Sequence, residues 1–419
     1  MSYVLIVLAT LFVTLIIQNM VTGEKKIEHR ITHLYGVRDA RFLRAMGSLL
    51  GPPVVGGNNV SELVNGEQIF PAMLEAIRGA RRTISFETFI YWTGEIGREF
   101  AEALAERARA GVKVHVLLDW VGTYKLDKEA LTMMIDAGVD LQKYHPLRWY
   151  NLGRINNRTH RKLLIIDGQI GFTGGVGIAD KWTGAARNAD EWRDSHYRVE
   201  GPAVAQMQAA FMDNWMKSRG EVLHGDEYFP KLEPRGEHVA QMFKSSSTEG
   251  SESVRLMYLL TIASAEKSIL LANSYFVPDD LSVESLAAAA NRGVRIEIIV
   301  PGKEIDARVT RKASRSRWGK LLEAGIRIHE FQPTMFHCKT VIVDGVWVSV
   351  GSTNFDNRSF RLNDEANLNI HDEQFATRQT EIFEADLTRA RRISLEEWQN
   401  RPLTEKLLEH AAGLLRSQL

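Results

Sequence analysis

Cysteine is nearly absent: Cys338 is the only one in 419 residues. A lone thiol excludes an internal disulfide framework and any zinc site built on cysteines. Net charge is missing too, because Lys plus Arg and Asp plus Glu both number 52. With no overall basic field to hold a polyanion, nucleic acid is disfavoured as the main partner. No charged side chain occurs among residues 1–23. What remains is ordinary for a folded protein, 44% hydrophobic and 25% charged, in a chain long enough for two cores.

The uncharged N-terminus carries a signal of its own. Tyr3 to Val21 is apolar apart from two threonines and Gln18-Asn19, and about 20 such residues span a bilayer. A cleaved leader would show a basic start and an A-x-A site, and neither is present. Residues 1–23 are therefore expected to be a transmembrane anchor. Lys25, Lys26 and Arg30 follow it, which places the body on the cytoplasmic side. In the juxtamembrane segment, 24–57, one helical face carries Phe42, Leu43, Met46, Leu49 and Leu50, with Arg38, Arg41 and Arg44 towards the other side. That pattern suits either an interfacial helix or packing on the body. Gly51-Pro52-Pro53 stops it.

Beyond this point the chain repeats itself. Ala110-Gly-Val-Lys-Val-His-Val-Leu-Leu returns as Arg292-Gly-Val-Arg-Ile-Glu-Ile-Ile-Val, and Ala137-Gly-Val-Asp-Leu as Ala324-Gly-Ile-Arg-Ile. A period of about 180 residues is a duplicated domain rather than a solenoid. Amphipathic helices such as 97–110 and 282–291 alternate with β-branched strands such as 112–118, which predicts α/β lobes with a largely parallel sheet covered on both faces. The lobes are expected at 58–220 and 251–419. The Pro-, Gly- and Ser-rich stretch 221–250 reads as their linker.

One element recurs with chemistry in it. His160-Arg-Lys162-Leu-Leu-Ile-Ile-Asp167 precedes Gly174-Gly175, and His337-Cys-Lys339-Thr-Val-Ile-Val-Asp344 precedes Gly351-Ser352-Thr-Asn354. On a strand, each His and Lys two residues apart share a face. The Asp falls in the turn at the strand's end, and the glycines would let backbone amides approach an anion. A lone H-x-K is usually polar surface; two full copies on apolar strands are not.

These paired H-x-K-x-x-x-x-D motifs resemble those of the phospholipase D superfamily. Phe172-Thr-Gly-Gly, Trp192-Arg-Asp194 and Val350-Gly-Ser-Thr-Asn-Phe-Asp-Asn-Arg-Ser-Phe-Arg-Leu-Asn-Asp-Glu365 are similar, more narrowly, to bacterial cardiolipin synthases. The resemblance runs from about Asn58 to the C-terminus and implies two α/β/α lobes sharing one active site at their interface. It also implies phosphatidyl transfer between two phosphatidylglycerols through a phosphohistidine, at the inner membrane of a bacterial cell. Gly177 departs from the pattern, standing where many members carry Asn.

An imidazole titrating near neutrality serves as nucleophile or acid. His160 is assigned as nucleophile and His337 as general acid, with Lys162 and Lys339 neutralising phosphate oxygens and Asn354 adding a hydrogen bond. By resemblance Asp194 and Glu365 orient the rings, with Glu191 competing for the first place. Asp167 and Asp344 complete the motif set and are read as holding their turns. No metal or other cofactor is implied: the lysines supply the positive charge, and Asp279-Asp280 reads as a helix start. The basic run Arg308, Arg311, Lys312, Arg315, Arg317, Lys320 suits an anionic headgroup or a solvated face equally. Trp182, Trp192 and Trp318 suit the core, with lipid contact as the alternative. Phospholipids and the membrane are the expected partners, nucleic acid is not, and nothing reports the oligomeric state. Hydrolytic phospholipase D is the nearest rival activity, ahead of a nuclease or an inactive lipid-binding protein.

Overall fold

The computed structural model describes residues 2–20, 27–146, 156–246 and 252–418, with side chains from residue 3 to 14 in the first helix. Lys25-Lys26 and the expected join at 250/251 lie outside these.

The first half contributes β1 (Val55–Val64), β2 (Thr83–Thr88), β3 (Lys113–Asp119), β4 (Asp140–Tyr144), β5 (Arg158–Thr159), β6 (Leu163–Ile166), β7 (Ile170–Gly174) and β8 (Ser195–Glu200). The second contributes β9 (His238–Ser245), β10 (Ser268–Asn273), β11 (Phe276–Val277), β12 (Arg295–Pro301), β13 (Arg327–Phe331), β14 (Lys339–Val343), β15 (Trp347–Gly351), β16 (Phe355–Asp356), β17 (Asn363–His371) and β18 (Ala390–Ile393). All except β11 and β16 join one sheet, and its order is a palindrome. From the centre, β1-β8-β7-β6-β2-β3-β4 runs one way and β9-β17-β15-β14-β10-β12-β13 the other, with β18 added at that edge. The duplication in the sequence is thus a two-fold arrangement in space.

Helices cover both faces, as α/β/α layering requires. Ala203–Arg219 and Glu373–Leu387 lie on one face and place Met207, Phe211, Trp215, Phe375 and Phe383 in a core common to both halves. On the other face each half has its own core, one around Phe70, Phe100 and Trp182, the other around Met257, Trp318 and Trp347. Trp318 is therefore a core residue.

Several expectations need correcting. The sheet is mostly antiparallel; parallel pairing on the main path is confined to β2-β3-β4 and β10-β12-β13. The reason lies in the motifs, whose strands β6 and β14 turn back at once into β7 and β15. Asp167-Gly168 and Asp344-Gly345 make those turns, all four at φ between 53° and 66°, as a tight hairpin needs. The expected linker contains β9, which pairs with β17 and β1 at the centre of the sheet. Its apolar residues are few, and flanking Pro, Gly and Ser hide them. Strand β1 starts at Val55, ahead of the expected lobe boundary. The juxtamembrane helix is Ala40–Leu50, and its apolar face is spent on the body: Phe42 and Met46 are buried, Phe42 edge-on to Trp347 at 4.9 Å.

The first helix runs Ser2–Met20, and its side chains from Tyr3 to Thr14 are exposed. Among the described residues no helix is long and apolar enough to cross a membrane, so the fold does not establish the expected span.

The motif aspartates hold the strands rather than the site. Asp344 accepts from the backbone N–H of Glu266, Lys267 and Ser268 at 2.7–2.8 Å. Asp167 does the same for Arg81, Arg82 and Thr83. Removing the Asp344 acceptor leaves three part-buried backbone donors without their partner. Asp344→Ala is expected to lower unfolding free energy by about 3 kcal/mol, read by urea denaturation, with Asp344→Asn milder. A loss under about 1 kcal/mol would contradict this role.

Candidate active site

Each histidine lies just before its motif strand, and the other half fixes its backbone. The His160 N–H donates to Asp364 O at 2.8 Å, extending the pairing of β5 with β17, and the His337 N–H donates to Arg193 O at 2.8 Å. The side chains cross in the same way. His160 Nδ1 is 3.0 Å from both oxygens of Glu365 in the second half, and His337 Nδ1 is 2.7 Å from Asp194 Oδ2 in the first. Each carboxylate holds Nδ1 and leaves Nε2 for chemistry. Both rings are buried, His160 8% and His337 5% exposed.

The carboxylates are held from behind. Glu365 accepts from Ser352 Oγ at 2.5 Å, and Asp194 from Trp182 Nε1 at 2.9 Å and the Ser195 N–H at 2.8 Å. Burial raises both acids, but His160, Lys162 and Ser352 bring Glu365 below its ordinary range, and His337 and Lys339 do so for Asp194. Glu191 does not compete. It accepts from Ala185 N, Arg187 N and Asn188 Nδ2 and closes a surface loop.

The glycines have a steric task of their own. A Cβ on Gly175 would stand 2.1 Å from Asp194 Oδ1, and one on Gly351 2.4 Å from Ala366 O. A Cβ on Gly174 would meet Ser195 O at 2.6 Å. They make room for the orienting carboxylate and the strand bearing it. Ser352 occupies the place of Gly175 in the second half, where its hydroxyl serves Glu365. Asn354 Oδ1 accepts from Ser274 Oγ at 2.7 Å. At the matching Gly177, a Cβ would lie 2.7 Å from Ile90 Cβ, so Ile90 fills the space an Asn side chain would need.

Lys162 Nζ donates to His160 O at 2.7 Å and Lys339 Nζ to His337 O at 2.6 Å. Lys339 Nζ also lies 3.0 Å from His337 Nδ1. Burial lowers both ammonium groups, Lys162 to about 7, against the pull of Glu365 and with the push of Lys339. Burial likewise takes His160 down to about 4, with Glu365 opposing and Lys162 reinforcing, and lowers His337 with help from Lys339. Charges from both halves thus act on one another across a single site.

The walls are aromatic. Phe89 stands edge-on to His160 at 5.3 Å, and Trp182 edge-on to His337 at 5.2 Å, with Trp192 at 5.7 Å. Sequence reasoning noted the two tryptophans but missed Phe89. It also missed Arg193, whose guanidinium pairs with Asp386 at 2.7 Å and donates to Asp194 O and Ser195 Oγ. Arg193 lay in view beside Asp194; Asp386, on a helix far along the chain, carried no motif. Among the described residues no group of three or more His, Cys, Asp or Glu could hold a metal ion. Asp279 caps the helix Asp280–Asn291 through the Ser282 N–H.

Comparison with known proteins bears on this geometry. A family model described as "Cardiolipin synthase, PLD-like domain" matches residues 73–215 and 258–387, one match per motif. The chain belongs to the phospholipase D-like cardiolipin synthase family. Among its relatives, a cardiolipin synthase of Geobacillus sp. is 36% identical over 87% of this chain and 73% of that protein. Cardiolipin synthase 2 of Bacillus anthracis is 35% identical over 84% and 69%. A phosphatidylserine synthase structure from Haemophilus influenzae covers 90% of this chain and 99% of its own at TM-score 0.66 and 16% identity, a likeness of fold. The PLD-like fold with its large mixed sheet is therefore that of the family.

A cardiolipin synthase site with this geometry has a defined acid limb. On the acid side kcat/KM should fall only as His160 protonates near about 4, and on the other side as His337, lowered by burial and Lys339, loses the proton that a leaving oxygen needs. Glu365 raises the His160 pKa, so Glu365→Gln should move the limb further to acid while lowering the plateau at least about 100-fold through lost orientation. A limb at pH 6.5, unmoved by Glu365→Gln, would contradict the pairing.

Proposed function

We propose that this chain is itself a cardiolipin synthase, condensing two phosphatidylglycerols into cardiolipin and glycerol. The observation that carries this reading is the crossed pairing of two buried histidines with carboxylates of the opposite half, each beside a buried lysine. Such a site presents two Nε2 atoms to one phosphodiester.

His160, neutral at cytoplasmic pH, is the nucleophile. Its Nε2 bonds to the phosphorus of the donor as the bond from phosphorus to the headgroup glycerol oxygen breaks. His337 enters as the imidazolium, which Asp194 favours, gives that oxygen its Nε2 proton and becomes neutral, and glycerol leaves. The second phosphatidylglycerol then loses its hydroxyl proton to His337, and its oxygen displaces His160 from phosphorus. Both rings return to their starting state. Lys162 and Lys339 neutralise the non-bridging oxygens, whose charge peaks in the transition state, and Asn354 adds a polar contact. Asp194 and Glu365 keep the proton on Nδ1. Transfer rather than hydrolysis is supported by the aromatic walls, which exclude water.

The enzyme works at the inner membrane of a bacterial cell, where both lipids reside. Its N-terminal helix, uncharged and exposed along Tyr3 to Val13, is the anchor, with the body on the cytoplasmic side.

The test is to incubate the full chain with phosphatidylglycerol vesicles, with and without EDTA, and to separate the lipids. Cardiolipin with equimolar glycerol is expected in both. Phosphatidic acid alone would reassign the chain to hydrolysis. His160→Ala and His337→Ala should each fall to background, a loss of about 10³-fold or more.

A further inference from the structure

The C-terminal helix Leu403–Gly413 is inside out. Its polar side faces the body: Glu409, 3% exposed, accepts from Arg315 Nε at 2.8 Å and Arg401 Nε at 2.6 Å. Ala412 packs on Val277 and Ala313. The opposite side shows Leu403, Leu407 and Leu408 to solvent, 75%, 69% and 51% exposed, and Leu414 and Leu415 continue the patch just past its end. In water an amphipathic helix buries its leucines. A contiguous apolar surface left outward marks a contact.

Three further observations say what covers it. The neighbouring helix Arg308–Ser316 exposes Val309, with Arg308 and Lys312 forming no ion pair among the described residues. Arg311, Arg315 and Arg317 are satisfied internally by Glu330, Glu409 and Asp280, so only part of the basic run faces outward. The patch stands at the histidine end of the fold, because Val277 beneath the helix lies in β11, which pairs with β16 directly after Asn354. In the other half, exposed Trp120, Val121 and Tyr124 surround Gly122, whose Cβ would touch Phe89 O, behind the ring that flanks His160. Finally, Ile27 and Glu28 line one cleft with Arg416 and Ser417 at the end of the leucine patch. Ile27 and Glu28 thus lie on the same side of the body as the patch.

We infer that the leucine face of the C-terminal helix, rimmed by Arg308 and Lys312, docks on an anionic phospholipid surface and turns the histidine end towards the bilayer. This rests on the lipid reading above and adds a second contact to the N-terminal one. Leucines enter the acyl boundary while the basic rim meets the headgroups.

Cys338 is buried and burial pushes its thiol up to about 12, so a Leu408→Cys variant of the full chain takes a single environment-sensitive fluorophore. With vesicles containing phosphatidylglycerol, the emission should shift to the blue and be quenched by nitroxide-bearing lipid. Unchanged emission on protein that co-floats with the vesicles would overturn the inference. So would a blue shift without vesicles accompanied by a doubled mass, which would assign the patch to a second copy. The double variant Leu407→Glu/Leu408→Glu should turn over vesicle phosphatidylglycerol at least 10-fold more slowly, yet match the parent on monomeric dihexanoyl phosphatidylglycerol. Equal activity on vesicles would also sink it. If the parent makes no product from either lipid, the proposed activity fails while the fluorescence still decides the docking.

Discussion

Two ionised carboxylates lie fully buried, each tied to an imidazole supplied by the opposite half of the chain. An acid taken out of water without a partner is strongly destabilising, on the order of several kcal/mol. Neither half therefore tolerates its own carboxylate without the other. Arg193 and Arg161 extend the same logic. Arg193 pairs with Asp386 across the boundary while bonding the carbonyl of Asp194. Arg161 reaches Glu365 O, Ala210 O, Asp213 and Ser245 O. The electrostatics that orient the rings are also what closes the two halves on each other.

The two-fold frame is nearly regular, but what it holds is not. The first half carries Phe89 and Gly177 where the second carries Ser274 and Asn354, so an aromatic ring beside His160 has a polar pair as its counterpart in the other half. Gly175 faces the shorter Asp194, and Ser352 faces the longer Glu365. The two rings thus sit in different surroundings, which is what separate roles as nucleophile and acid demand.

Much of this was legible in the sequence. Two copies of an eight-residue pattern located both histidines, both lysines and the strands that follow them. The duplicated phrases predicted the paired halves, and Asp194 and Glu365 were picked out. What did not show was which carboxylate serves which ring, because strand order and crossing are three-dimensional facts without a local pattern. Strand β9 was hidden for a different reason: a strand at the centre of a sheet needs little hydrophobicity of its own when Gln241 can pair with Asn369 inside the core. The steric task of the glycines was hidden because the same absence of Cβ serves a phosphate or a neighbouring carboxylate equally well.

The pairing of β1 with β9 occupies the place where two identical subunits would meet edge to edge around an axis. In a true dimer every substitution appears twice, so the two rings must stay alike. Written into one continuous polypeptide, the same architecture lets each ring accumulate its own neighbours. Different surroundings for the two rings then need no second gene, only independent drift on the two sides of a shared seam.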